Sequence, residues 1–460
     1  MYIPSPTYLS PGDNAWQLTA GTLVGLMSIP GLAVLYGGVV KRKWAVSSAV
    51  MAFYAFAAVL VVWVLAGFNM GFGHAWIGTV VGLPQPVLSS AGETAQAAIP
   101  LLHGLMPSFR FPQSSLVYFQ FVFAAITPII LAGALFGRIN FRAWMLFVPL
   151  WSVLVYSVNA FLLWGGGWLA GLGVVDYSGG YVIHVAAGIS GFVGAAVIGP
   201  RTVKDQQDFK PNNMLLAMVG AGILWLGWNG FNGGDPYFAN ADAAAAVLNT
   251  NLATAVALLT WFSFDMVFNK KLSMVGAING MICGLVAITP AAGYVDGYGA
   301  ILVGLLGSAI PWLTMNTMAG RWPFRKVDDT LGVIHTHYMA GAVGGLLVGI
   351  IANPAMIVYV GVRGAGVSVA GLFSGNPHQL LVQAFGFVFV TAYDGAMTFV
   401  ILKLIGLVVP LRMSQRELEH GDRVLFNEEV FELHHPIPVP EPIDVPAPGP
   451  GSGVRAPQPT

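Results

Sequence analysis

The stretch Asp176-Tyr-Ser-Gly-Gly-Tyr-Val-Ile-His184-Val-Ala-Ala187-Gly188-Ile-Ser-Gly191 settles the architecture, because its skeleton returns at Asp329. In the second copy the same spacing runs through His337, Ala340, Gly341 and Gly344. Each copy opens an apolar run, where an Asp suits a helix N-cap. Eight residues at 1.5 Å each carry the His about 12 Å along its helix, towards the middle of a hydrocarbon core about 30 Å thick.

The apolar runs dominate the rest of the chain. Of 460 residues, 56% are hydrophobic and only 9% are charged, against about a quarter charged in a soluble protein. So few charges cannot cover a water-soluble surface, so most of the chain faces lipid or itself. The 58 glycines fit helices that approach closely in a membrane. A net charge of zero argues against a nucleic-acid partner. One cysteine, Cys283, excludes an internal disulfide and a cysteine-based metal cluster. No metal or other cofactor is expected. The segment Met1 to Asn14 lacks the basic start of a cleaved signal peptide, so the first apolar run is expected to persist as a span.

Reading about 20 apolar residues per crossing predicts an all-α polytopic membrane protein with eleven transmembrane helices. They fall near 16–40, 44–68, 115–137, 143–164, 178–199, 212–232, 242–266, 272–290, 297–318, 331–351 and 379–409. Lys41 to Lys43, Arg138, Arg142, Arg201, Lys204, Lys210, Lys270, Lys271, Arg321, Arg325 and Lys326 then lie on one side, and only Arg110 and Arg363 on the other. The positive-inside rule places the N-terminus out and the C-terminus in. The two copies lie in spans five and ten, which run in opposite directions. That predicts a 5+5 inverted repeat with a final helix left over, and a site near the midplane where the halves meet. Residues 1–409 form the membrane domain, 410–435 a charged cytoplasmic tail, and 436–460 a Pro-rich disordered end.

An intramembrane His is a functional-site candidate by default, and two at symmetric depths are more so. In its neutral form each ring offers one donor and one acceptor nitrogen. Such a pair can share a proton and present apolar edges to a small neutral guest. His335 lies about 200° around the helix from His337, which predicts that it is structural or lines another surface, and that no metal site is built on the pair. Phe119 and Phe123 share a face of span three. Phe231 lies near the end of span six beside Trp228. Trp164, followed by Gly165, Gly166 and Gly167, closes span four and is expected to be an exposed outer aromatic; these rings serve either bundle packing and the interfacial belt or a cation–π vestibule.

These residues resemble the ammonium transporter (Amt/Mep/Rh) family. The resemblance rests on Asp176 through His184, Trp164 twenty residues earlier, Phe119-Gln-Phe-Val-Phe123, Gly230-Phe231-Asn-Gly-Gly234, Thr289-Pro-Ala-Ala-Gly-Tyr294 and Asp328-Asp329 through His337. It covers about 1–425 and implies a plasma-membrane homotrimer with a pore in each subunit, a transporter of ammonium and not an enzyme. It further implies that Phe119 and Trp164 recruit the cation, Phe123 and Phe231 gate it, and His184 and His337 line the pore. Asp176 would shape the vestibule and favour cation access. The tail would be a place for a cytoplasmic regulatory protein. Two departures stand out. Asp235 occupies a recruitment position where many members carry Ser. In the tail, Phe426-Asn427 replace the family's His-Gly, between Gly421-Asp422 and Glu428-Glu429. Asp235 precedes Pro236, which leaves two readings: a charge at the pore mouth, or a residue that caps a turn or the start of span seven.

Overall fold

The computed structural model describes residues 5–207, 210–356 and 368–428. Among them ten helices are long and apolar enough to cross a membrane: α1 (Pro11–Val39), α2 (Arg42–Phe72), α3 (Gln113–Ala132), α4 (Phe141–Gly171), α5 (Gly180–Ile198), α6 (Met214–Gly233), α7 (Ala241–Asn269), α9 (Gly297–Met318), α10 (Ile334–Ile351) and α11 (Pro377–Ile405). The chain is therefore a multi-pass helical membrane protein. Helix α8 (Met274–Ile288) is also apolar but has 15 residues, about 22 Å at 1.5 Å per residue. It lies within the span expected at 272–290 and ends where Pro290 lacks an N–H and the chain turns, with Ala291 bonded to the Ile288 carbonyl and Tyr294 to that of Ala291.

Side-chain caps fix where helices begin, by occupying N–H groups that have no partner within the helix. Asn213 accepts from Leu215 and Leu216 at α6, Asn240 from Ala243 at α7, Ser273 from Gly276 at α8, and Asp296 from Gly299 at α9. Arg201, just past α5, holds Asp328, just before α10, through a two-point pair at 2.7 and 2.9 Å. The end of α5 and the start of α10 therefore lie at one end of the bundle, and the two helices run antiparallel. Arg138, fully buried, joins that cluster from the end of α3, bonding Thr330 and the carbonyls of Ala134 and Asp328.

Helix α3 is buried along almost its whole length, so it is a central post. Helices α6, α7 and α11 keep apolar residues such as Leu226, Leu248 and Leu381 about two-thirds exposed, as a lipid- or partner-facing surface requires. Between α2 and α3 a short antiparallel hairpin (Ala75–Ile77 with Val81–Gly82) departs from the all-helical expectation. The tail forms a helix, α12 (Gln415–His420), with a capping box between Ser414 and Glu417. The disordered end expected at 436–460, and Arg363, lie outside the described residues.

Candidate functional site

Both copies of the Asp–His pattern begin with a turn that needs glycine, since Gly179 and Gly332 have φ of 113° and 71°. The carboxylate of Asp176 then closes the first turn of α5. Its Oδ1 accepts from the N–H of Gly179 and Gly180 at 3.2 and 2.6 Å, and its Oδ2 from Tyr181 and Val182 at 2.9 and 3.0 Å. Burial pushes this carboxyl up to about 6, against the pull of those four N–H groups. Asp329 accepts from Gly332 at 3.1 Å and Ile334 at 2.8 Å. Beyond each cap the helix opens with a wide π-type turn, Gly180–Val185 in α5 and Ile334–Met339 in α10. Both histidines stand in these turns.

The Ala-Gly steps let the helices cross closely. A Cβ at Gly188 would lie 2.5 Å from that of Tyr338, and one at Gly341 would lie 2.7 Å from the Gly180 carbonyl and 3.2 Å from the His184 Cβ. Any larger residue would push α5 and α10 apart. At this crossing the His184 and His337 rings are 5.3 Å apart, with their Nδ1 atoms at 3.3 Å. One Nδ1 must donate and the other accept, so the pair holds two opposite tautomers. Both rings are buried, and Nε2 of His184 has no partner among the described residues. That nitrogen is left for a small guest.

A file of aromatic rings leads to the pair. Phe119 and Phe123 are 4.9 Å apart, Phe123 and Phe231 4.5 Å, and Phe231 and Trp228 4.8 Å. Trp228 stacks on His184 at 5.4 Å and 20°, held by a bond from its indole N–H to Thr289. Trp228 is thus part of the site and not merely a neighbour of Phe231 in the sequence. Its i,i+3 relation to Phe231 is the signal that places both on one face.

Trp164 is not exposed. It is 2% exposed, sits edge-on to Phe123 at 6.3 Å, and donates to the Asp176 carbonyl at 2.7 Å. The segment that follows it is held by the loop after α2: Leu101 and Leu102 pack on Gly166, and the Thr79 carbonyl takes the Trp168 N–H. Asp235 does not cap α7, since Asn240 does. It occupies a tight turn closed by the Tyr237 N–H on the Gly234 carbonyl, while the Phe119 ring packs against Gly234. Asp235 is 1% exposed and its Oδ2 has no partner among the described residues. Burial holds this carboxyl well above the ordinary range, opposed by a hydrogen bond from Ser178 and reinforced by Asp176 and Asp242.

On the other side of the histidines a cavity of about 380 Å³ runs from Leu331 and Asn279 up to His337. His335 lines it too, bonded through Nδ1 to Thr314 at 3.0 Å. The bond to Thr314 fits a structural role for His335, whereas a separate surface for it is not found: the cavity touches opposite sides of the first turn of α10 and so reaches both histidines. Among the described residues no group of three or more His, Cys, Asp or Glu is placed to hold a metal ion.

Fold and site together define a helical membrane protein with a buried, aromatic-guarded histidine pair between two antiparallel helices. Comparison with known proteins narrows this. Residues 15–430 match the Ammonium Transporter Family, and the chain belongs to that family, whose members are transporters and not enzymes. It is 50% identical over 440 residues to Ammonium transporter 3 member 2 of Oryza sativa subsp. japonica, covering 93% of this chain and 91% of that one. It is 47% identical over 434 residues to Ammonium transporter 2 of Arabidopsis thaliana, covering 93% and 90%. The crystal structure of Saccharomyces cerevisiae Mep2 superposes with a TM-score of 0.77 at 27% identity, covering 89% of each chain.

Proposed function

We propose that this protein carries ammonium across the plasma membrane, recruiting it as the cation and conducting it as ammonia past His184 and His337. The observation that carries the reading is the buried Nδ1–Nδ1 contact of 3.3 Å beneath the Phe123–Phe231 pair. A bare ion pays heavily for hydrocarbon-like surroundings, whereas a neutral molecule does not. Phe119, Trp164 and Asp235 receive the cation at the loop-covered end. The cation gives up its proton to water on the loop-covered side before the Phe123–Phe231 gate, and the ammonia so formed then meets the unpartnered Nε2 of His184. Asp176 holds this end in shape by fixing the start of α5. Potassium, having no proton to lose, is refused at the gate.

The same reading carries an arrangement. Counting α8 as a crossing gives eleven spans, and the antiparallel course of α5 and α10 supports a 5+5 inverted repeat with α11 added. The basic end, with Arg138, Arg201 and the tail, faces the cytoplasm by the positive-inside rule. Residues 1–409 are the transporter domain and 410–435 a regulatory-type tail, open to a cytoplasmic regulatory protein. The exposed apolar faces suit a homotrimer in lipid.

The test is uptake by reconstituted protein in vesicles loaded with a pH-sensitive dye, where entering ammonia takes up a proton and raises the internal pH. His184→Ala and His337→Ala should each impair selective ammonium transport while eluting as the folded oligomer. Normal ammonium transport with potassium still excluded in both variants would overturn the pore assignment.

A further inference from the structure

We propose that the cavity between the tail and the loops after α1 and α5 binds a multiply phosphorylated anion. The cavity measures about 1000 Å³, at the upper end of small-ligand sites, which run to about 1,000 Å³. It lies at the opposite end of the bundle from the proposed recruitment residues, and nothing in the transport reading uses it.

Six cations line it: Lys41, Arg42, Lys43, Lys204, Lys210 and Arg423. Three carboxylates face them, and each is already engaged. Asp205 is shared between Lys41 at 3.2 Å and Lys43 at 3.0 Å. Asp422 accepts from the N–H of Val46 and Ser47 at 2.7 and 3.0 Å, at the start of the long helical stretch of α2. Glu419 accepts from Gln415 at 2.7 Å. Among the described lining residues, positive charges therefore outnumber negative ones by three. Gathering them raises the local potential, which favours an anion of several charges. Two of the six are arginines, whose planar fork suits phosphate oxygens.

The cavity exists only because the tail is docked. Lys43 reaches the carbonyls of Leu418 and Glu419 at the end of α12, and Gly421, with φ of 64°, packs on the Lys43 carbonyl. An anion bridging Arg423 to Lys204 and Lys210 would tie tail and loops together. Two sources supply this chemistry. Lys41 to Lys43 directly follow α1, and basic clusters beside a membrane attract polyphosphorylated lipid headgroups. A soluble inositol polyphosphate offers the same groups without the lipid.

Full-length protein in detergent would be titrated calorimetrically with inositol hexakisphosphate, and protein in nanodiscs compared with and without phosphatidylinositol bisphosphate. Saturable binding of the soluble probe assigns a soluble anion, and binding confined to the lipid-containing discs assigns a headgroup. In either case the double variant Lys204→Gln/Lys210→Gln should weaken it at least tenfold without lowering the melting temperature, since both side chains are exposed. Arg423→Gln should weaken it as a single change, and raised salt should weaken it steeply. No saturable binding of either probe, or equal binding by the double variant, would overturn the proposal.

Discussion

Asp176 and Asp329 hold equivalent places in two copies of one pattern, and each caps a π-type turn carrying a histidine. Their surroundings differ. Asp176 is 3% exposed and accepts four backbone N–H bonds, beneath Trp164 and the Phe123–Phe231 pair. Asp329 is partly exposed along an open cavity and stands next to Asp328, which is tied to Arg201 and Arg138. The comparison teaches that the repeated pattern sets the position of the histidine, while its neighbours decide whether that end is dry or wet. Aromatic rings close the first copy, and charges and water-accessible space border the second.

The sharpest way to break this contrast is to remove both caps in turn. Asp176→Ala should cost about 3–6 kcal/mol, since four buried N–H groups lose their acceptor at about 1–3 kcal/mol each, with partial relaxation. Asp329→Ala should cost roughly half as much. Thermal unfolding of the purified proteins measures both, and equal losses would show that the difference in burial is immaterial. Asp328→Asn should cost about 2–3 kcal/mol, because the buried Arg138 keeps only neutral acceptors. Burial alone would raise the Asp328 carboxyl, but the hydrogen bonds and charge of Arg201, with Arg138 beside it, bring it below the ordinary range. Its stabilisation is therefore present above the ordinary carboxylate value, about 4, and lost as pH falls through the lower folded value. The Asn variant should lose that acid-side slope, and an unchanged slope would assign it to other groups.

Within the dry half, Trp164→Phe removes the bond to the Asp176 carbonyl at about 1 kcal/mol and weakens a cation–π contact of about 1–2 kcal/mol. Ammonium uptake should fall mainly at low ammonium, and equal loss at every concentration would make Trp164 a packing residue. The smallest effect is expected from Asp235→Ser. Because burial raises this carboxyl, it adds charge to recruitment only once ionised, so half-saturation should rise by less than tenfold and by more at higher pH. Its burial also makes salt a weak lever. An unchanged half-saturation with reduced stability would leave Asp235 as part of the Gly234–Tyr237 turn alone.

Local pattern made much of this legible. Asp at a helix start, His eight residues on, and Ala-Gly at the crossing are each set by backbone geometry, so spacing alone announces them. The length of α8 needed only more weight on Pro290. What could not be read depends on distant parts of the chain. Trp164 is buried against Phe123, some forty residues earlier, and bonded to the Asp176 carbonyl. His335 shares a cavity with His337 because of the width of a space walled by several helices. The docking of the tail on Lys43 joins residues 375 positions apart. No periodicity reports such contacts.

The wide turns at Gly180–Val185 and Ile334–Met339 also bear on how such a chain tolerates change over generations. Hydrogen bonds that reach five residues back hold about one residue more than an α-turn does. Losing one residue there would let the helix relax to ordinary winding, yet it would rotate one side of the break against the other by about 100°. The histidine would swing away from its partner while every other contact of the helix stayed nearly intact. These two segments should therefore accept exchanges of letters far more readily than changes of length, and gaps in an alignment of working relatives should avoid them.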